Sequence, residues 1–191
     1  MYFTIKRTNI NAHHFIIFWS SLYNYPKEYL YMDCISKTIY SSGDLKNLFI
    51  WKNGMRLSDR KNLSFERKVR KKLATVNRLK SNFSLGEFNK IFSGLSAIWK
   101  IFLLHCIRPN IYPIFDQHVF RAMMFILDKT IHEVSKSEKE KYDKYFSLYV
   151  PFFNELVRQS DCDPIKVDHA LWVFGKALKS PIISDVLMED N

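Results

Sequence analysis

The chain has 191 residues, of which 47% are hydrophobic and 16% aromatic, with only five Gly and six Pro. This composition can build a buried core and excludes a disordered or collagen-like chain. The net charge of +10 favours a polyanionic partner, with nucleic acid ahead of an anionic membrane surface. A soluble basic protein without such a partner is the alternative.

The cysteines and histidines argue against a disulfide framework and a metal site, and we expect no cofactor. Cys34, Cys106 and Cys162 lie far apart and form no CxxC pair, and none of the six histidines stands at a ligand spacing from another His or Cys. The longest apolar run near the middle, "IFLLHCI", is too short to span a bilayer. We therefore expect a cytoplasmic monomer with no membrane partner.

The pattern along the chain is helical, because apolar residues recur three and four positions apart in most windows. It predicts an all-α, compact multi-helix array of nine or ten helices, formed as one domain over residues 1–191 or as two lobes. The first predicted helices lie within 11–25, 26–40 and 42–54, and Gly54 stands at the end of the third.

The next segment, from Arg56 to Lys80, carries ten Lys or Arg and two acids. Its apolar residues follow one stripe, which predicts a single amphipathic helix with a cationic outer face. A solvated surface is the alternative to nucleic-acid backbone contact for this face. The stripe consists of Phe65, Val69, Leu73, Val76 and Phe83, and the candidate contacts are Arg67, Lys68, Lys71 and Lys72.

Residues 84–127 are predicted to form a helix, a tight turn, a second helix, a loop with prolines and a third helix. Ser84 has the N-cap position of a capping box, and "GLS" makes the turn. Asp116 stands directly before the third helix, where aspartate is an ordinary N-cap. Further on, a long helix is predicted to kink at Pro151, and Asp163 followed by proline opens the last one.

Two stretches of this region, "FDQHVFRAM" and "FSGLSAIWKIFLLHCIRPNIYPIFD", carry a family resemblance. The chain resembles the helix-hairpin-helix DNA glycosylases, the superfamily that includes endonuclease III and the 8-oxoguanine glycosylases. The resemblance implies hydrolysis of the N-glycosidic bond of a damaged or modified base flipped out of duplex DNA. It also implies that Asp116 is the catalytic carboxylate and that the hairpin at Gly94, Leu95 and Ser96 contacts DNA. By analogy, such a protein serves base excision repair or phage defence.

The hairpin departs from the family pattern at two positions. The register without gaps places Ile98 where many members have a nucleophilic lysine, which implies a monofunctional enzyme that uses water. A hairpin two residues longer would bring Lys100 to that position and imply a bifunctional glycosylase and lyase. Ser96 replaces the second hairpin glycine, so a nucleic-acid-binding protein without catalysis on the same scaffold remains the other alternative.

The residues expected to surround a flipped base come from two helices. Asp168, Trp172 and Lys176 are four positions apart and share one helix face, and His118 follows Asp116 by two. Trp172 could stack on a base while Asp168 or Lys176 reads its polar edge. The alternatives are an i,i+4 network over the core and a structural role for His118.

Overall fold

The computed structural model of the chain describes residues 10–127, 129–130 and 133–179. The described residues form helices and no strand, so the all-α prediction is confirmed. They divide into two compact units: unit 2 is Asn24–Ile114, and unit 1 combines the residues up to Tyr23 with those from Phe115 onward. None of the described helices is both long and apolar enough to cross a membrane.

Unit 2 is a helical array around an aromatic core. The ring of Phe49 lies 5.2 Å from that of Phe65 and 5.4 Å from that of Phe102, and all three side chains are fully buried. Its helices are α2 (Tyr29–Ile35), α3 (Ser42–Asn53), α4 (Asp59–Lys68), a 3₁₀ turn (Arg70–Lys72), α5 (Leu73–Ser81), α6 (Leu85–Ile91) and α7 (Ala97–Ile107).

Helix ends in unit 2 follow the predicted capping residues. Gly54 ends α3 with a φ of 73°, a left-handed conformation that glycine adopts without steric cost. The Ser84 hydroxyl accepts the Glu87 N–H at the start of α6. The Glu87 carboxylate forms an ion pair with Arg78.

The prediction of one continuous basic helix was wrong. The chain leaves α4 at Val69, whose φ and ψ are −117° and −62°, passes through the 3₁₀ turn and re-enters a helix at Leu73. Val69 is fully buried, and Lys72 reaches the carbonyl oxygen of Ile91 at 2.5 Å. The break therefore serves two tertiary contacts that residue periodicity does not report. It also raises the number of described helices above the predicted nine or ten.

Unit 1 packs its first helix against its last. The rings of Phe15 and Trp19 lie 5.1 Å and 4.9 Å from that of Phe174. The Asp163 side chain accepts the Ile165 N–H, as predicted for the N-cap of the last helix. The described helices of unit 1 are α1 (Ala12–Ser21), α8 (Gln117–Ile126), α9 (Glu138–Lys144), a π-helical turn (Tyr145–Tyr149), α10 (Val150–Ser160) and α11 (Pro164–Ala177).

The long helix predicted to kink at Pro151 has its irregularity one turn earlier. The π-helical turn Tyr145–Tyr149 joins α9 to α10 immediately before this proline. Proline has no N–H to donate, and its ring collides with the carbonyl four residues back in a regular α-helix. A widened turn at this place accommodates both constraints.

His105 should make the stability of the protein depend on pH. It is buried in unit 2, where its Nδ1 lies 2.7 Å from the Tyr112 carbonyl oxygen and its Nε2 lies 2.8 Å from the Tyr31 hydroxyl. Burial lowers the pKa of His105 to about 4, against a raising effect of the hydrogen bond to Tyr112. As the pH falls from about 6.5 to 4, His105 binds a proton in the unfolded chain but not in the folded protein. The free energy of unfolding therefore falls by up to about 1.4 kcal/mol per pH unit.

This loss is measured by urea denaturation at several pH values. The His105→Gln variant, although less stable overall, should lose less stability across this window than the wild type. The matched control His14→Gln removes an exposed histidine of α1 and should keep the wild-type pH dependence. Equal pH dependence in wild type and His105→Gln would contradict the assignment.

Candidate functional site

Asp116 is the N-cap of α8, as predicted. Its Oδ1 accepts the backbone N–H of His118 at 2.8 Å and that of Val119 at 3.2 Å. The side chain is half-buried, and Phe115 immediately before it is fully packed in the core of unit 1. Two amide donors and a buried neighbour fix the position of the carboxylate at the helix start.

Three of the residues predicted to surround a base lie together in unit 1. The His118 ring is 5.6 Å from the Trp172 ring, and the Lys176 Nζ lies 4.9 Å from the centroid of the same ring. His118 and Trp172 are half-buried, whereas Lys176 is exposed. Burial lowers the pKa of His118, although the Asp116 charge opposes this, so the imidazole is neutral at pH 7. An aromatic surface with a cationic edge therefore adjoins the N-terminal end of α8.

Close packing of α8 on α11 holds this surface in place. A Cβ added to Gly175 would lie 1.9 Å from the carbonyl oxygen of His118, so only glycine permits the approach. Arg121 donates to the Gly175 carbonyl oxygen at 2.7 Å and pairs with Glu133 at 3.2 Å. Arg121 is only 4% exposed. It therefore serves the internal packing of unit 1.

Sequence reasoning missed part of the aromatic surface. Tyr23 stacks on His169 with the ring centroids 3.6 Å apart and the planes 4° from parallel, and it also meets Trp172 edge to face at 5.7 Å. Tyr23 lies two residues after the end of α1, and its two partners lie on α11. A separation of this size along the chain leaves no periodic signal, so only the packing of α1 on α11 reveals the contact.

The hairpin at Gly94, Leu95 and Ser96 joins α6 to α7 in unit 2. Gly94 and Ser96 are exposed, and a Cβ at Gly94 would meet nothing within 4 Å. Leu95 differs from its neighbours, because its side chain is buried and its N–H donates to the Phe92 carbonyl oxygen at 3.1 Å. Leu95 thus anchors the turn, and the surface of the hairpin consists of its two neighbours.

The four predicted cationic contacts have two different environments. The Lys68 Nζ donates to the Gly94 carbonyl oxygen at 2.7 Å, and the Lys72 Nζ donates to the Ile91 carbonyl oxygen at 2.5 Å. Arg67 and Lys71 are exposed and bond no residue in the described part of the chain. The basic segment is therefore bonded to the hairpin through Lys68 and to the end of α6 through Lys72, while two other cations face solvent.

The positive charge of the chain is concentrated in unit 2. Its sequence has 17 Lys and Arg against six Asp and Glu, a net charge of +11. The rest of the chain has 12 against 13, a net charge of −1. A polyanion is thus attracted to unit 2, and the residues around Asp116 belong to a unit that is nearly neutral.

Lys100 lies in the first turn of α7 and is half-buried. Burial lowers the pKa of its amine below the ordinary value. A lowered pKa increases the fraction of neutral amine, which is the form that attacks a carbonyl carbon. The remaining predicted residue, Asp168, is half-buried on α11 in unit 1.

No group of three or more His, Cys, Asp or Glu side chains within the described ranges could hold a metal ion. The three cysteines are free. Comparison of the chain with protein-family models, curated proteins and solved structures gives no significant match. The function therefore has to be argued from the site itself.

Proposed function

We propose that the protein binds nucleic acid and hydrolyses an N-glycosidic bond, in the manner of a helix-hairpin-helix DNA glycosylase. The observation that carries the proposal is the carboxylate of Asp116, which two backbone amides fix at the start of α8, two residues before His118, whose ring contacts that of Trp172. Cleavage of an N-glycosidic bond develops positive charge on the sugar ring, and a fixed carboxylate stabilises that charge. Since the amides already orient the group, little reorganisation is needed during the reaction.

The aromatic surface of unit 1 suits an unstacked base. Bases within a duplex are inaccessible at the glycosidic bond, so the target nucleotide has to leave the stack. Stacking on an aromatic ring offsets part of that cost and tolerates different bases. Trp172 offers such a ring, and the Lys176 ammonium beside it supplies a hydrogen-bond donor for an acceptor atom of the base.

Unit 2 supplies the affinity for the nucleic-acid backbone in this proposal. The amides of an exposed hairpin that opens a helix can hold a phosphate, and Arg67 and Lys71 add exposed charge next to Lys68 and Lys72 in the sequence. Lys68 holds the hairpin through the Gly94 carbonyl oxygen, and Lys72 holds the preceding end of α6 through that of Ile91. The resulting contacts do not depend on base sequence.

Neutralising Arg67 and Lys71 together is expected to weaken duplex binding and reduce its salt dependence. Each lost phosphate contact lowers the slope of log K against log salt by about 0.9, so the Arg67→Ala/Lys71→Ala variant should lose about two units of slope. The measurement is fluorescence anisotropy with a labelled duplex between low and moderate salt. The control Lys139→Ala/Lys166→Ala removes the same charge from exposed positions of unit 1 and should change the slope little. An equal loss in both variants would point to net charge alone.

Base release tests the proposal as a whole. Duplex oligonucleotides, each with one deaminated, oxidised or alkylated base, are incubated with excess protein, and abasic sites are revealed by alkaline strand scission. Release of one of these bases is the expected result. Duplex binding without release of any base would favour a nucleic-acid-binding protein without catalysis. Absence of duplex binding at every salt concentration would contradict both this alternative and the glycosylase proposal.

A lyase activity through Lys100 is the second candidate, favoured by the lowered pKa of its amine. Its nitrogen would attack C1′ of the sugar and form a Schiff base as the base departs. Borohydride reduces such an intermediate to a stable covalent complex, which the Lys100→Ala variant would not form. Base release without any trapped complex assigns the reaction to water.

A further inference from the structure

The hydroxyl of Tyr149 is a buried polar group in unit 1. Tyr149 ends the π-helical turn of unit 1 and is 0% exposed. Its hydroxyl has no hydrogen-bond partner within the residues that the structure describes. A buried hydroxyl without a partner is costly, so native proteins keep one chiefly where a ligand or water uses it.

The Tyr149 side chain is held rigidly beside the segment that carries Asp116. Its ring lies 5.0 Å from the ring of Phe115, the residue before the candidate catalytic carboxylate. The rings of Tyr145 and Phe153 also pack against Tyr149, with centroids 6.1 Å and 6.0 Å from that of its ring. Turns of π-helix occur often at functional sites, because the extra residue changes the direction of a side chain.

Two carboxylates lie within electrostatic reach of this hydroxyl. Burial raises the pKa of Tyr149 well above its ordinary value, and the charges of Asp168 and Asp116 raise it further, with a smaller effect of Tyr145. The hydroxyl therefore keeps its proton at any physiological pH and is available as a donor. The Asp116 charge also acts on His118 of α8, whose other charged neighbours are Arg121 on α8 and Lys176 on α11.

We propose that Tyr149, Asp116 and Asp168 together hold one water molecule, the water that attacks the sugar. This inference rests on the proposed function. A water molecule has two O–H groups and two lone pairs, and buried waters typically form about three hydrogen bonds. The two O–H groups donate to the two carboxylates, and one lone pair accepts the Tyr149 hydroxyl. The remaining lone pair is directed by these three bonds toward the substrate.

The reaction at this water is balanced without a further reactant. The free lone pair forms the C1′–O bond, while the C1′–N bond breaks and its electron pair leaves with the base. One proton of the water passes to Asp168, which acts as general base, and then to solvent. The departing base nitrogen takes a proton from solvent. Asp116 keeps its charge and stabilises the cationic sugar, so the two carboxylates have different roles.

Carboxylate titration tests the water site without any need for catalysis. The side-chain carboxyl carbons of Asp116 and Asp168 are followed by ¹³C NMR in the wild type and in Tyr149→Phe. Without the Tyr149 hydroxyl the water is lost, and with it a donor to each ionised carboxylate, so the pKa of at least one of them should rise by about half a unit or more. The control Tyr40→Phe removes a buried hydroxyl of unit 2, which donates to the Cys106 carbonyl oxygen at 2.7 Å. It should lower thermal stability and leave both carboxyl titrations unchanged.

The rate of base release tests the role of the water. Asp168→Asn should reduce the rate by about 100-fold, the lower end of general-base effects. Tyr149→Phe should reduce it less and move the acid limb of the pH–rate profile to higher pH. Circular dichroism establishes that each variant is folded.

The two measurements separate this inference from the proposed function. Titrations unchanged by Tyr149→Phe would overturn the water site, whether or not the wild type releases a base. A shifted titration in a protein that releases no base would overturn the proposed function and leave the three groups as a water site only. A rate unaffected by Asp168→Asn would overturn the general-base role.

Discussion

The substitution Asp116→Asn is expected to reduce the single-turnover rate of base release by about 100-fold or more, while duplex affinity and the fold are retained. The change replaces a negative charge by a neutral amide of the same shape. A neutral group cannot stabilise the positive charge that develops on the sugar, so the loss falls on the chemical step. The rate is measured with excess protein on whichever modified duplex the wild type cleaves.

Retention of the fold follows from the capping geometry. The oxygen of an asparagine side chain accepts helix amides about as well as that of an aspartate, so the bonds from His118 and Val119 survive. The free energy of unfolding should therefore change by less than about 1 kcal/mol. A variant that keeps its stability and duplex affinity but loses base release separates a chemical role of Asp116 from a capping role.

The control for this experiment is Asp163→Asn. Asp163 is also an N-cap, since its side chain accepts the Ile165 N–H at 2.7 Å at the start of α11, but it is exposed. The same chemical change at this position should leave base release unaffected. If Asp116→Asn released base at the wild-type rate, Asp116 would be a structural cap and the glycosylase proposal would be wrong.

The sequence predicts the parts of this fold that depend on neighbours along the chain. Asp116, Asp163 and Ser84 are N-caps because their short polar side chains reach amides two or three residues ahead. Gly54 ends a helix because its φ is positive. Each of these effects acts within one helical turn, so residue type and spacing suffice to predict it.

Contacts between distant segments explain what the sequence did not predict. The sequence predicts one cationic face for Arg67, Lys68, Lys71 and Lys72, but Lys68 bonds to the hairpin at Gly94 and Lys72 to the end of α6 at Ile91. Nothing in the spacing of a basic segment distinguishes a lysine that reaches a carbonyl from one that faces solvent. The sequence does not indicate a role for Tyr149 for a similar reason, because the charged groups that act on it, Asp116 and Asp168, lie on other elements of unit 1.

The distribution of charge gives the two units different tasks in the proposed function. Unit 2 holds the whole positive excess of the chain, which suits binding of a backbone by counterion release. Unit 1 holds two carboxylates whose charges raise the pKa of one buried tyrosine, an effect that strong positive surroundings would oppose. Charge that attracts the ligand and charge that acts on it are thus carried by different parts of the sequence.

The substitution Gly175→Ala is expected to destabilise the protein by about 3 kcal/mol or more, the upper range for inserting a methyl group into a packed interface. The new Cβ would lie 1.9 Å from the His118 carbonyl oxygen and 2.5 Å from its carbonyl carbon. Both atoms belong to the backbone, so no side-chain rotation relieves the overlap and α8 has to move away from α11. The Arg121 bond to the Gly175 carbonyl oxygen would be strained by the same movement.

Urea denaturation, followed by tryptophan fluorescence, gives the free energy of unfolding of Gly175→Ala and Gly43→Ala. The two changes relative to the wild type are expected to have opposite signs. Gly43 is an exposed glycine within α3, and its added Cβ would meet only the Ser41 hydroxyl at an ordinary 3.6 Å. Alanine is the better helix former by about 1 kcal/mol, so Gly43→Ala should raise stability. Gly175→Ala should lower it, because the collision outweighs the same helix-forming gain. Stabilisation by both substitutions would mean that α8 and α11 do not approach each other at Gly175, and the packing that holds His118 of α8 against Trp172 of α11 would then be absent.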